Sequence, residues 1–129
     1  MTHATGTFEV TSWNENTYEE LESGGKLTQA SVEQRFSGDV DGDGAVQWLM
    51  AYAPDGTARF VGIQRVTGSI GGRKGSFVME TSGDFDGGVA TGQWTIVSAD
   101  GDLDGLKGTG RFSAPKGPTA SVELEYELG

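Results

Sequence analysis

No cysteine occurs among the 129 residues, which excludes disulfides, thiolate nucleophiles and thiolate metal ligands. Histidine occurs once, at His3 near a terminus expected to fray, and this argues against a hydrolase built on a Ser–His pair. No stretch approaches the roughly eighteen consecutive apolar residues of a membrane-crossing helix. The opening Met1-Thr-His-Ala-Thr-Gly6 has neither a basic region nor an apolar run, so no signal peptide is expected and a cytoplasmic location is. Basic residues are scarce, nine Lys and Arg against nineteen Asp and Glu, for a formal net charge of −10. Such a field repels phosphate backbones and anionic lipid, so nucleic acid and membrane surfaces are poor partners.

Glycine, by contrast, is abundant: its 22 copies punctuate short segments that alternate apolar and polar residues. Strict alternation marks a strand with one buried face, because successive side chains point to opposite sides of a sheet. Eight strands are predicted, at approximately 5–13, 26–37, 45–53, 58–69, 75–82, 89–98, 105–113 and 119–128. Most of the links between them are tight, at 38–44, 54–57, 71–74, 83–88, 99–104 and 114–119, with Asp-Gly and Gly-Gly pairs suited to hairpin turns. The longest connection, 14–25, is read as a loop over the mouth of the fold. The chain is short enough to form a single domain over 1–129, burying about two-thirds of its unfolded surface.

Parity then sorts the two faces. The inner face takes Phe8, Val10 and Ser12 of the first strand and Phe77, Met79 and Thr81 of the fifth. It takes even-numbered residues of the other six, among them Trp48, Trp94 and Tyr126. A slip of one residue would turn every aromatic outward, so the register is strongly specified. One dry face and one wet face across eight strands predict an all-β, eight-stranded antiparallel up-and-down barrel. At this strand number the interior either fills with side chains or holds one small ligand. Inner glycines at 62, 92, 108 and 110 leave room for aromatic neighbours or for such a ligand.

Several stretches carry a family resemblance: Gly68-Ser-Ile-Gly-Gly-Arg-Lys-Gly-Ser-Phe-Val-Met-Glu80, Gly83-Asp-Phe-Asp-Gly-Gly88, Gly92-Gln-Trp94, Gly105-Leu-Lys-Gly-Thr-Gly-Arg-Phe112 and Glu123-Leu-Glu-Tyr-Glu-Leu128. Together they resemble the bacterial domain-of-unknown-function family 3224, of the allene oxide cyclase barrel-like group. The resemblance implies an eight-stranded antiparallel barrel and carries no reaction with it. Plant allene oxide cyclases act on a fatty-acid epoxide in the lumen, but their polar active-site positions find no residue-by-residue match here. The run Ser98-Ala-Asp-Gly-Asp-Leu-Asp104 departs from the family's Gly-Thr-Gly-rich turn.

Two acidic runs, Asp39-Val-Asp41-Gly-Asp43-Gly44 and Asp100-Gly-Asp102-Leu-Asp104-Gly105, match the opening of a calcium loop. Met50 and Arg111 stand where the bidentate glutamate is required, and no helices flank the runs. Solvated hairpin turns are the reading, with no metal or cofactor implied. Gly71-Gly-Arg-Lys-Gly75 is too short a match for a phosphate loop, and Arg73 is read as an exposed turn cation.

The inner face offers a mostly apolar lining with a few polar groups, as small-molecule sites do. Gln34, Trp48, Tyr52, Gln64, Phe77, Trp94 and Tyr126 are the candidate ligand contacts, for a small apolar or aromatic molecule entering near segment 14–25. Parity puts no charged residue inside, although Glu33 or Glu80 would turn inward at a β-bulge. The function this supports is binding of a small molecule in the lumen. A cyclase or isomerase acting by orientation, and a structural protein with a filled core, are the alternatives. On the outer face Leu49, Ala51, Val61, Ile63 and Val78 form an apolar strip over strands three to five, which predicts a homo-oligomer through that surface.

Overall fold

The computed structural model describes residues 1–115 and 119–128. Eight antiparallel strands close into one barrel in chain order: β1 (Thr2–Glu20), β2 (Lys26–Gly38), β3 (Val40–Tyr52), β4 (Ala58–Ile70), β5 (Arg73–Phe85), β6 (Val89–Gly101), β7 (Leu106–Pro115) and β8 (Thr119–Leu128), with β1 pairing back onto β8. Among the described residues there is no helix. The predicted link at 114–119 includes residues outside those described.

Alternation works as expected over most of the chain. Val46, Trp48 and Met50 on β3, Phe77, Met79 and Thr81 on β5, and Val122, Leu124 and Tyr126 on β8 are all buried. Six aromatic rings meet across the interior. Phe112 lies 5.8 Å from Phe8, 5.9 Å from Trp94, 6.2 Å from Phe60 and 6.3 Å from Trp48, while Phe36 bridges Phe8 and Trp94. Such offset and edge-on contacts add to the burial of the rings themselves. The inner glycines serve this packing: a Cβ at Gly92 would collide with the Phe112 ring, and one at Gly62 would lie 2.9 Å from Trp48. Aromatic neighbours therefore occupy the room at these two positions.

Tight turns close one end of the barrel. Gly71 and Gly72, with φ of 57° and 86°, join β4 to β5 in a two-residue hairpin that needs positive φ at both positions. Backbone hydrogen bonds run around this rim, from Asp39 N to the Thr5 carbonyl, Gly71 N to Asp39 and Asp102 N to Lys74. Beneath them Val40, Ile70, Leu103 and Leu106 are buried and plug the end.

Three sequence expectations are corrected. The link at 38–44 shrinks to Asp39, because Val40, Gly42 and Gly44 alternate inward as part of β3. Segment 14–25 is not a loop as far as Glu20: β1 continues along β2 to that residue, and only 21–25 form the turn. The register of β1 also shifts, since Thr11 is an extra residue between Val10, opposite Gln34, and Ser12, opposite Glu33. Val10 and Ser12, assigned inside, are exposed, and Trp13 joins the row of Val32 on the inner face. A β-bulge inserts one residue without breaking the strand, so strict parity fails beyond it.

Candidate functional site

The β1 bulge does more than re-aim Trp13. Two residues later it sets Glu15 opposite Ala30, on the inner side of the sheet. Among the described residues β8 pairs with β1 no further than Glu9, and this part of β1 runs along β2 toward the end opposite the plug. Glu15 there collects three side-chain donors from three strands. Trp13 Nε1 donates to Oε1 at 3.1 Å, while Thr28 Oγ1 and Tyr52 Oη donate to Oε2 at 2.7 and 2.8 Å. Lys26 Nζ lies 5.0 Å from the Tyr52 ring centroid, and the Tyr52 hydroxyl lies 3.8 Å from Met50 Sδ.

These contacts set the charge of the mouth. Burial alone raises the Glu15 pKa, but hydrogen bonds from Thr28, Tyr52 and Trp13, with the Lys26 charge, bring it below its usual value. Glu15 is therefore a carboxylate at neutral pH. Burial pushes Tyr52 up to about 12, and the hydrogen bond and negative charge of Glu15 add to that rise. Tyr52 keeps its proton and gives it to Glu15 as a hydrogen bond.

The seven predicted contact residues share the inner face but not one location. Tyr52 is half-buried in the mouth cluster, and Trp48 lies below it, 4.6 Å from Phe60. Gln34 and Gln64 are buried and bond to each other across β3, passing over Gly44, where a Cβ would stand 3.1 Å from the Gln34 oxygen. Trp94 belongs to the packed aromatic group and Phe77 is fully buried. Tyr126 lies toward the plugged end, its hydroxyl 3.0 Å from where a Cβ on Gly71 would be. Sequence reasoning missed Glu15, Thr28 and Trp13. It reserved an inward carboxylate for Glu33 or Glu80, both of which are exposed, because it looked for a bulge on the wrong strands. The alternation of Trp13, Glu15 and Thr17 was the available signal.

The acidic runs are engaged locally. Arg35 pairs with Asp41 at 3.0 Å and with Asp43 at 3.4 Å, Asp39 accepts the Thr5 amide, and Asp100 accepts the Ser76 amide and hydroxyl. Among the described residues no group of three or more His, Cys, Asp or Glu is placed to hold a metal ion.

A family model described as a protein of unknown function (DUF3224) matches residues 4–126. The chain belongs to the DUF3224 family. A crystal structure of a DUF3224 protein of unknown function from Shewanella oneidensis MR-1 is similar, with 29% identity and a TM-score of 0.85 over 100% of this chain and 98% of that one. A search of curated proteins returned no match. Also among the described residues, no helix of this DUF3224 chain is long and apolar enough to cross a membrane.

Proposed function

We propose that this DUF3224 barrel binds a small molecule at its mouth, with an apolar or aromatic body against Trp13, Met50 and Tyr52 and a hydrogen-bond donor turned to Glu15. The observation that carries the reading is the Glu15 carboxylate itself. A bulge directs it to the inner face, and side chains of three strands fix its position. A carboxylate that served solubility alone would need none of this orientation. The packed aromatic rings confine the ligand to the mouth rather than the depth of the lumen.

Binding is favoured over catalysis on physical grounds. An efficient general acid or base has a pKa near the working pH, whereas Glu15 is held low and Tyr52 high. A cyclase or isomerase acting by orientation would use the same mouth, and turnover of a bound molecule would reveal it. We propose as well a kinship with the allene oxide cyclase-like barrels, on the sequence resemblance, and a cytoplasmic home, which suits a cysteine-free chain. The test is a panel of aromatic and aliphatic amines and alcohols screened by ligand-observed NMR. Saturable binding that Tyr52→Phe weakens supports the reading. A panel with no saturable binder leaves a structural barrel with a filled core.

A second reading concerns assembly. Leu49, Val61 and Ile63 are 51%, 55% and 53% exposed in adjacent rows of β3 and β4, with Ala51 exposed beside them and Val78 half-buried. Arg59 and Arg65 stand at the two ends of the β4 row, with Glu80 opposite Ile63 on β5. Both signs of charge around one apolar strip suit a second copy of this chain related by a two-fold axis. Light scattering that gives a dimer supports this surface, and a monomer at high micromolar concentration removes it.

A further inference from the structure

Among the described residues the barrel satisfies its buried polar side chains with one exception, and the exception is a pair. Gln34 and Gln64 bond to each other, Thr28 to Glu15, and Ser76 to Asp100. Thr81 Oγ1 and Trp94 Nε1 find no hydrogen-bond partner among the described residues, although their own residues are only 3% and 2% exposed. They are not scattered. Thr81 and Trp94 sit directly opposite each other on β5 and β6, both on the inner face. Buried polar groups are nearly always paired, and leaving two unpaired side by side forfeits a large share of a domain's net stability.

The chemistry of the two groups defines what would satisfy them. An indole N–H can only donate, whereas a hydroxyl donates or accepts. One oxygen atom that accepts from Trp94 and exchanges a hydrogen bond with Thr81 satisfies both. A charged oxygen does not fit, since no cationic side chain is buried among the described residues and an unpaired buried charge is far costlier than an unpaired dipole. The surroundings limit size as well. Gly62 flanks Thr81 and Gly110 flanks Trp94 in the ladder, so neither neighbour adds a side chain. Trp48 leans over Gly62, and Leu124 would lie 3.2 Å from a Cβ on Gly110, which leaves no place for a further ring.

We propose that Thr81 and Trp94 form a buried site for one neutral oxygen atom, that of an ordered water or of a hydroxyl or carbonyl on a small molecule. The site lies below the mouth and does not depend on whether the mouth binds a ligand.

Replacing Thr81 by Val, which keeps the shape and removes the hydroxyl, reads the occupant through the sign of its effect. With an oxygen in place, Thr81→Val strips it of a partner and lowers Tm by roughly 3–6 °C. With the site empty, the same change deletes an unmet polar group, so that Tm stays level or rises, and this overturns the proposal. Trp94→Phe supplies the second arm. The Thr81→Val loss shrinks by at least half in the Trp94→Phe background if the two share one oxygen. An unchanged loss means that Thr81 has a partner of its own, and the shared site fails. The source is then read from the Trp94 indole proton of the purified protein by NMR. A cross-peak to water identifies water. A cross-peak to a non-protein proton, with a small molecule released on denaturation and seen by mass spectrometry, identifies a ligand. A rapidly exchanging indole proton with neither cross-peak counts against any occupant.

Discussion

The two ends of this barrel solve the same problem in opposite ways. Where β2, β4 and β6 finish, tight turns fold apolar side chains inward, and Val40, Ile70, Leu103 and Leu106 seal the interior. Where β1 overruns the rim, the inner face is finished instead by a carboxylate and its donors, Trp13, Thr28 and Tyr52. An apolar plug gains stability from area removed from water and offers a ligand nothing to recognise. A hydrogen-bonded carboxylate at an open rim adds little net stability, because solvent competes for each bond, yet it presents direction and charge. One end is sealed by apolar packing and the other presents hydrogen-bonding groups at its rim.

That contrast predicts a hierarchy of effects. The largest belongs to the plug: Leu103→Ala leaves a cavity under the β6–β7 turn and costs about 2–5 kcal/mol in urea unfolding. At the mouth, Tyr52→Phe removes one hydrogen bond at a half-exposed site and costs about 1 kcal/mol. Equal losses at the two positions would erase the distinction.

The pH dependence sharpens it. The folded Glu15 pKa lies below its ordinary value of 4.5, so its contribution is complete above that value and is lost as pH falls through the lower folded value. Tyr52 works in the other direction. Its folded value of about 12 exceeds the ordinary 10.0, so its contribution is intact below 10 and is lost as pH rises through 12. Ultraviolet titration of tyrosinate should show one residue ionising near 12, moving back toward 10 in Glu15→Gln. A Tyr52 titration unmoved by that change would mean that the two side chains do not meet in solution.

The smallest stability effect is expected on the outer strip, which belongs to neither end. Ile63→Glu changes a 53%-exposed side chain and should shift stability by no more than about 0.5 kcal/mol, while halving the mass seen by light scattering.

The middle of the barrel was readable in the sequence and much of its two ends was not, and the reason lies in where the ladder is unbroken. Period-two alternation depends on an uninterrupted ladder, and β3 and β8 hold one through Trp48 and Tyr126, while Trp94 precedes the irregularity of β6, so all three fell on the correct face. Bulges break the count silently. Thr11 carries no glycine or proline to announce an extra residue, so Glu15 was hidden inside a segment that looked like an acidic loop. Val97 plays the same part on β6, where Ile96 pairs with Met79 and Ser98 with Val78. Leu106 was placed inside, but Val40 and Leu103 of the plug were missed for a different reason. Asp and Gly around Val40 and Leu103 read as solvated turns, yet single apolar residues within them are fully buried. Turn chemistry reports backbone shape and says little about where one side chain points.

The account's central claim is that Glu15 makes the mouth a recognition site. Its most direct test is to titrate an aromatic amine taken from the binding screen into the wild type and Glu15→Gln, following the Trp13 and Trp48 indole protons by NMR. The account predicts saturable shifts at Trp13 in the wild type and an affinity at least tenfold weaker in Glu15→Gln, with the variant still folded. Equal affinity in the two proteins, or shifts that bypass Trp13 altogether, would contradict it.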